Sequence, residues 1–457
     1  PYLITNGAQL AKIAKDVEKD VGNRNVYENA YFRLENDIDL SAHRWNPIGV
    51  YKWYPGGATE DRMFAGFLDG NGKTITGLIV DERTEKNRAG LFGQIAYTGA
   101  ATNVGVKDLN IVGARIYATD TGMQFSGSAI LAGDVLANID NKIRFNNISV
   151  SGTIVNTKAG NAMISGGLIG SAYCVTADNC KSDVTIEGGD NIGGFVGMDA
   201  DSTYTNCKVT GKVTGLREIG GFVGYAKEAD PTTMSTYDSC VAKVDVIASD
   251  SRAGGFAGYM QKGKASSCAA LGDVTSTLTG GNPKVGGFAG EIGNTGVTGG
   301  AILDKCKAAG KVTAASPDYK AGGFVGTHTE GTYTDCSFDS EKNPGLAAYG
   351  EGDETAVPVV GSKISYAITE GTGSSYALQS GSSLTVRGNG DFSKFTGIKV
   401  DGVQIGAENY EAKSGSTIVT LKSSYLDTLA AGTHSLEILW KDGSASTAFT
   451  IQQSEGQ

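Results

Sequence analysis

One five-residue phrase recurs along the first 330 residues of this chain, and it restricts the fold more than any other feature. It reads Gly166-Gly-Leu-Ile-Gly170, Gly193-Gly-Phe-Val-Gly197, Gly220-Gly-Phe-Val-Gly224, Gly254-Gly-Phe-Ala-Gly258, Gly286-Gly-Phe-Ala-Gly290 and Gly322-Gly-Phe-Val-Gly326. Ala89-Gly-Leu-Phe-Gly93 precedes these, and a weaker copy, Ala129-Ile-Leu-Ala-Gly133, fills the gap between. From Leu168 to Phe324 the third residue of one copy follows the last by 27, 27, 34, 32 and 36 residues. A unit of this size cannot bury its apolar face alone, so the units must stack on one another.

The nature of the unit follows from what lies between the phrases. Cys180, Cys207, Cys268 and Cys336 each come 12 residues after the third residue of their phrase, and Cys240 and Cys306 come 18 after it. Six residues beyond the cysteines stand Ile186, Val213, Val246, Val274 and Val312, an even separation that places both side chains on one side of an extended segment. Helical periodicity is absent, and Val, Thr and Gly prevail. We expect a parallel β-solenoid whose shortest coils hold three short strands and three turns. Phe195, Phe222, Phe256, Phe288 and Phe324 form one interior ladder, and the six in-phase cysteines form another, as inert buried thiols. The paired glycines leave room for a neighbouring backbone, and glycine is expected to supply positive φ at the corners.

An open solenoid end needs a cover. Asn6-Gly-Ala-Gln9 has capping-box-like spacing, and Leu10, Ile13, Ala14 and Val17 share one helical face, so a helix is expected there. The phrase and the cysteine series end by residue 340, and 341–362 reads as a Pro-, Gly- and acid-rich linker. From 363 to 457, alternating segments such as Ser416–Leu421 and Ser435–Trp440 predict a small antiparallel β-sandwich. The division is therefore 1–88 for the cap and first coils, 89–340 for the repeat solenoid, 341–362 for the linker and 363–457 for the sandwich.

Composition removes several functions. The net charge is −10 without a basic block, which argues against nucleic-acid binding. Gly is 67 of 457 residues, but without a third-residue period, so the chain is not collagen. No apolar run approaches a membrane span. No cysteine pair has zinc-knuckle spacing, and no metal or cofactor is expected. Asp37 and Asp39 share one strand face at the separation of a glycosidase pair, with Asp69 following nearby, but turn bonding is the simpler account. Asp199-Ala-Asp201 reads as a solvated corner. Trp45, Tyr51, Trp53 and Tyr54 crowd a Gly-Pro loop and are the candidate ligand-binding aromatics, suited to stacking on sugar rings. Equal insertions in Tyr225–Ser239 and Glu291–Lys305 should project from one corner, where solenoids commonly bind.

The phrase resembles the GLUG motif of bacterial surface proteins, and Asp37-Ile-Asp-Leu40, Trp45-Asn-Pro-Ile-Gly49 and Phe67-Leu-Asp-Gly-Asn-Gly72 match the segment that leads into such repeats. That likeness covers about residues 1–340. It implies an extracellular module, found in adhesin-like proteins and beside the catalytic part of some IgA-cleaving metallopeptidases. Those enzymes need a His-Glu-x-x-His helix, and this chain has only His43, His328 and His434, in unrelated contexts. The tail, with Asn409-Tyr410, Ser414–Lys422 and Gly432–Leu436, resembles the immunoglobulin-like spacers of Gram-positive surface proteins. Together these imply a non-catalytic adhesion or display protein at a bacterial, Gram-positive, surface. Its partners would be a host or cell-wall glycan or a surface protein. The alternatives are a polysaccharide-processing β-helix enzyme and an accessory segment of a larger secreted metallopeptidase.

Overall fold

The computed structural model describes all residues except 20–25, 54–58, 83–87, 98–100, 119–125, 157–162, 294–299, 316–320, 353–358, 363–365, 415, 442 and 454–457. Two compact units divide the chain, Pro1–Ser362 and Lys363–Gln457.

The first unit is the expected parallel β-solenoid. A representative coil runs Thr203–Thr205, Lys208–Gly215, Ile219–Gly220 and Val223–Ala226. Each segment pairs in parallel with its counterpart one coil on: Thr203 with Thr236, Val213 with Val246, Gly220 with Gly254, Val223 with Ala257. The coil thus has four strand segments rather than three. The first two belong to one sheet bent at a corner, and the others to two further sheets.

The repeated phrase forms the corner between those two further sheets. Ile219–Gly220 ends one wall, Gly221 and Phe222 make the turn, and Val223 begins the next. Space, not backbone conformation, demands the glycines. A Cβ on Gly220 would lie 2.0 Å from the Val223 carbonyl oxygen, and one on Gly221 would lie 2.1 Å from that of Gly255 in the next coil. The turn aims Phe222 inward. Phe195, Phe222, Phe256, Phe288 and Phe324 are fully buried and stack face to face with centroids 4.7 to 5.1 Å apart. Their spacing is that of the backbone ladder itself.

The bend in the first sheet departs from expectation. Its left-handed residue is not glycine but the residue before each of the six in-phase cysteines: Asn179, Asn206, Ser239, Ser267, Lys305 and Asp335, all with φ between 50° and 54°. Asp108 and Asn147 hold the same place in earlier coils, before Leu109 and Ile148. Short polar side chains tolerate this conformation because they can bond locally. Here they also bond between coils: Asn179 donates to Asn147 at 2.6 Å, and Asn147 donates to Asp108 at 2.9 Å. Each of these six cysteine thiols in turn donates to the carbonyl two residues earlier, at 3.3 to 3.5 Å. All seven cysteines are buried with free thiols. Burial pushes the Cys180 and Cys240 thiols well above their ordinary range, and Cys174 up to about 11, so the thiolate form of these three is suppressed.

Lys305 is the misfit in this corner column, since its exposed side chain offers no local bond of that kind. Lys305→Asn should therefore stabilise the solenoid by about 0.5–1 kcal/mol, read as a higher denaturation midpoint. An unchanged or lower midpoint would refute the assignment of strain there.

A helix, α1 (Gly7–Glu18), covers the N-terminal end. The Asn6 side chain accepts from the Gln9 amide at 3.0 Å, while Gln9 Oε1 accepts from the Thr5 amide at 2.7 Å. Leu10, Ile13, Ala14 and Val17 are its buried residues. At the other end, the described parts of 341–362 belong to the solenoid instead of a linker. Tyr349–Glu351 and Val359–Ser362 add parallel strands to two of the walls, and Tyr349 is buried in the solenoid core. The open edge of the last coil outweighs the loop-like composition.

The second unit packs two sheets over Val386, Ile398, Val419, Leu436, Ile438, Trp440 and Phe449. Its pairings are antiparallel except one, Ser375–Ala377 beside Gly443–Gln452. The Trp440 indole donates to the Thr417 hydroxyl at 2.9 Å, which pins the two sheets together.

Candidate binding surface

The aromatic loop divides. Trp45 is only 7% exposed, and its indole N–H donates to the Leu91 carbonyl at 2.9 Å. It lies beside α1, lining a groove of about 550 Å³ with Ala8, Ala11, Leu40 and Ala42. Trp45 is thus built into the end of the solenoid and does not join an exposed aromatic face. Tyr51 and Trp53 lie on a strand, Val50–Trp53, paired antiparallel with Thr59–Arg62. Their side chains, and Tyr54 altogether, lie outside the described residues.

The acidic candidates have structural employment. Asp37 accepts from the Thr74 amide and Asp39 from the Ser41 amide, both at 2.8 Å. Asp69 accepts from the Asn71 amide at 2.8 Å and lies 3.2 Å from Lys107 Nζ. Asp199 and Asp201 do not form a solvated turn. Asp199 is fully buried beneath Tyr204 and Tyr237, and Asp201 accepts from the Thr233 hydroxyl at 2.6 Å. Alternation along Val196–Ala200 points Asp199 inward, at the position held by Ala172 and Ala226 in adjacent coils.

A different corner gathers the exposed chemistry. It is the return from the last wall of one coil to the first wall of the next. Both long insertions interrupt it: one spans the stretch between Val223–Ala226 and Thr236–Asp238, the other that between Ala289–Ile292 and Ala301–Asp304. Lys262, buried in the following coil, holds the first loop by donating to the Pro231 carbonyl and approaching Glu228 at 3.5 Å. Residues 294–299 of the second lie outside the described residues.

Nearer the N-terminus the same corner is recessed. A cleft of about 270 Å³ is lined by Tyr97, Asn103, Asp140, Asn141, Arg144 and Thr176, among others. Lys142 crosses two coils to donate to the Asp201 carbonyl at 2.7 Å and to the Thr203 hydroxyl at 3.2 Å, closing one side. Among the described residues, the Arg144 guanidinium and the Asp140 carboxylate have no hydrogen-bond or ion-pair partner. Contrast Arg252, on the other side of the phrase corner. It bonds Glu218 at 2.5 Å, pairs with Glu291 and sits 4.5 Å from the Tyr259 ring, while Lys284 meets Glu291 at 2.7 Å. Those charges satisfy one another and tie coils together. The charges of the cleft are available to something else.

No signal in the sequence marked this cleft. Its residues come from two successive corners and a strand of a third coil, and none falls in the repeated phrase.

No family model matches this chain. Over 118 residues it is 31% identical to halomucin of Haloquadratum walsbyi (strain DSM 16790 / HBSQ001), a match that takes in 25% of this chain and 1% of halomucin. The chain therefore corresponds to a very small part of that relative. A crystal structure of a Bacteroides ovatus protein, described as a candidate immunoglobulin A1 protease, aligns over 69% of this chain and 84% of its own with a TM-score of 0.43 and 18% identity. The GLUG-type reading thus stands on the repeated phrase and its lead-in segment. Among the described residues no helix is long and apolar enough to cross a membrane.

Proposed function

We propose that this chain is a non-catalytic extracellular protein of adhesion or display, with the solenoid as scaffold and the return corner as its binding edge. The observation that carries the reading is the unpaired Arg144 and Asp140 in an open, aromatic-flanked cleft. Unspent polar groups converging beside a ring are what a ligand site needs. The inserted loops on the same corner extend the contact, as loops on a rigid scaffold commonly do. Tyr51, Trp53 and Tyr54 are a second contact region, by their composition alone. Turn bonding by Asp37, Asp39 and Asp69 supports binding over hydrolysis.

The test is a panel of glycans and host matrix proteins presented to the full chain, with reducing-end release followed in parallel. Saturable binding without cleavage is the expected result. Cleavage of any bound glycan would replace this reading with the polysaccharide-processing one.

A further inference from the structure

Thr176, on the wall of the cleft, belongs to a column that continues along the solenoid. In register, one coil after another, stand Arg144, Thr176, Thr203 and Thr236. Two residues along each strand, on the same outward side, a second column holds Asn146, Asp178, Thr205 and Asp238. None of these eight is fully buried. Beyond Asp238 and Thr236 the columns change character, to Ser266 and Lys264. The cleft is thus the head of a two-row track that runs from the Arg144 guanidinium to hydroxyl, amide and carboxylate groups, with Asn146 donating to Asp178 at 3.3 Å and Thr203 accepting from Lys142 at 3.2 Å within it.

The chemistry of that track narrows its ligand. Successive rows are about 4.8 Å apart, close to the advance of one ring per step in an extended glycan. Hydroxyls can both donate and accept, and carboxylates accept, so the rows match a ligand that offers hydroxyls repeatedly along its length. Tyr97, half-buried against the core, lines the head. Asp140, Asp178 and Asp238 oppose a polyanion, and Arg144 with Lys142 opposes a polycation. We infer that the cleft and its threonine track bind an extended, uncharged polysaccharide, one sugar per coil, lying along the solenoid. This rests on the binding reading above and names its ligand class.

The experiment is calorimetric titration of the full chain with neutral β-linked glucan oligosaccharides of two to six rings, with a polyuronate of equal length as the charged control. Affinity should rise from two rings to six, and the polyuronate should bind more weakly. Arg144→Ala should weaken hexasaccharide binding at least tenfold, about the loss of one charge-assisted hydrogen bond. Thr236→Val, further along the column and without a side-chain bond to the cleft, should weaken the hexasaccharide but not the disaccharide. Neither the Arg144 nor the Thr236 side chain is buried, so an unchanged melting temperature accompanies each loss. Equal affinity for two and six rings overturns the track. Preference for the polyuronate overturns the uncharged class. Binding of a matrix protein with none of any glycan overturns this inference and leaves the adhesion reading intact.

Discussion

Phe222→Ala is expected to destabilise the solenoid by about 3–5 kcal/mol, the cost of emptying a fully buried aromatic position. Phe222 lies 4.7 Å from Phe195 and 4.9 Å from Phe256, face to face, and meets the edges of Tyr204 and Tyr237 at 5.7 and 5.9 Å. The hole cannot close by collapse. The Phe222 amide donates to the Phe256 carbonyl at 2.8 Å and its carbonyl accepts from the Phe195 amide at 3.0 Å, so the coils stay one strand spacing apart. Phe222→Leu keeps more of the volume and should cost about half as much or less. Chemical denaturation of the full chain reads both, with the C-terminal unit as internal reference because it has a separate core. A loss below about 1 kcal/mol for the alanine variant would be too small for a cavity of this kind, and would mean the ring column does not hold the coils.

The second large effect concerns Asp199. Its carboxyl is fully buried without a cation among the described residues, and it accepts from Tyr204 at 2.8 Å and Tyr237 at 2.6 Å. Burial raises it above the ordinary carboxylate range, while bonds from Ser235, Tyr237, Ser202 and Tyr204 pull the other way. The folded chain therefore holds this proton at pH values where the unfolded chain has released it. Its contribution to stability is greatest below the unfolded value of about 3.9 and declines as pH rises toward the folded one. Tyr204→Phe with Tyr237→Phe removes two donors from the charged form. Each loss costs about 1–3 kcal/mol, and the two are not additive because they share one carboxyl. The penalty should be larger at pH 8 than at pH 4. Equal penalties at both values would show that the hydroxyls do not serve the carboxylate.

The two ladders were legible because they obey a simple rule. A coil stacked on a like coil must repeat its inward residues, so Phe222 and Cys207 recur at fixed offsets wherever the backbone recurs. The capping helix was legible for the same kind of reason, a periodic face bounded by Asn6. The corner column was written in the chain as well, in the Asn, Ser or Asp before most of the cysteines, but Lys305 obscures it. The final coil was not legible. Residues 341–362 carry no phrase and no cysteine, and Tyr349–Glu351 and Val359–Ser362 within them form strands because the last wall offers an unpaired edge.

By itself the amino-acid order determined a stacked, coiled β architecture, its interior columns and its covered beginning. These depend on local periodicity, which survives reading one residue at a time. Only the tertiary structure decided that Trp45 is buried, that Asp199 faces the core, and that Tyr97, Asp140, Arg144 and Thr176 meet in one cleft. Those residues are up to 79 positions apart in the chain and no repeat relates them. They become neighbours because each turn of the solenoid returns the backbone to the same edge one strand spacing further on.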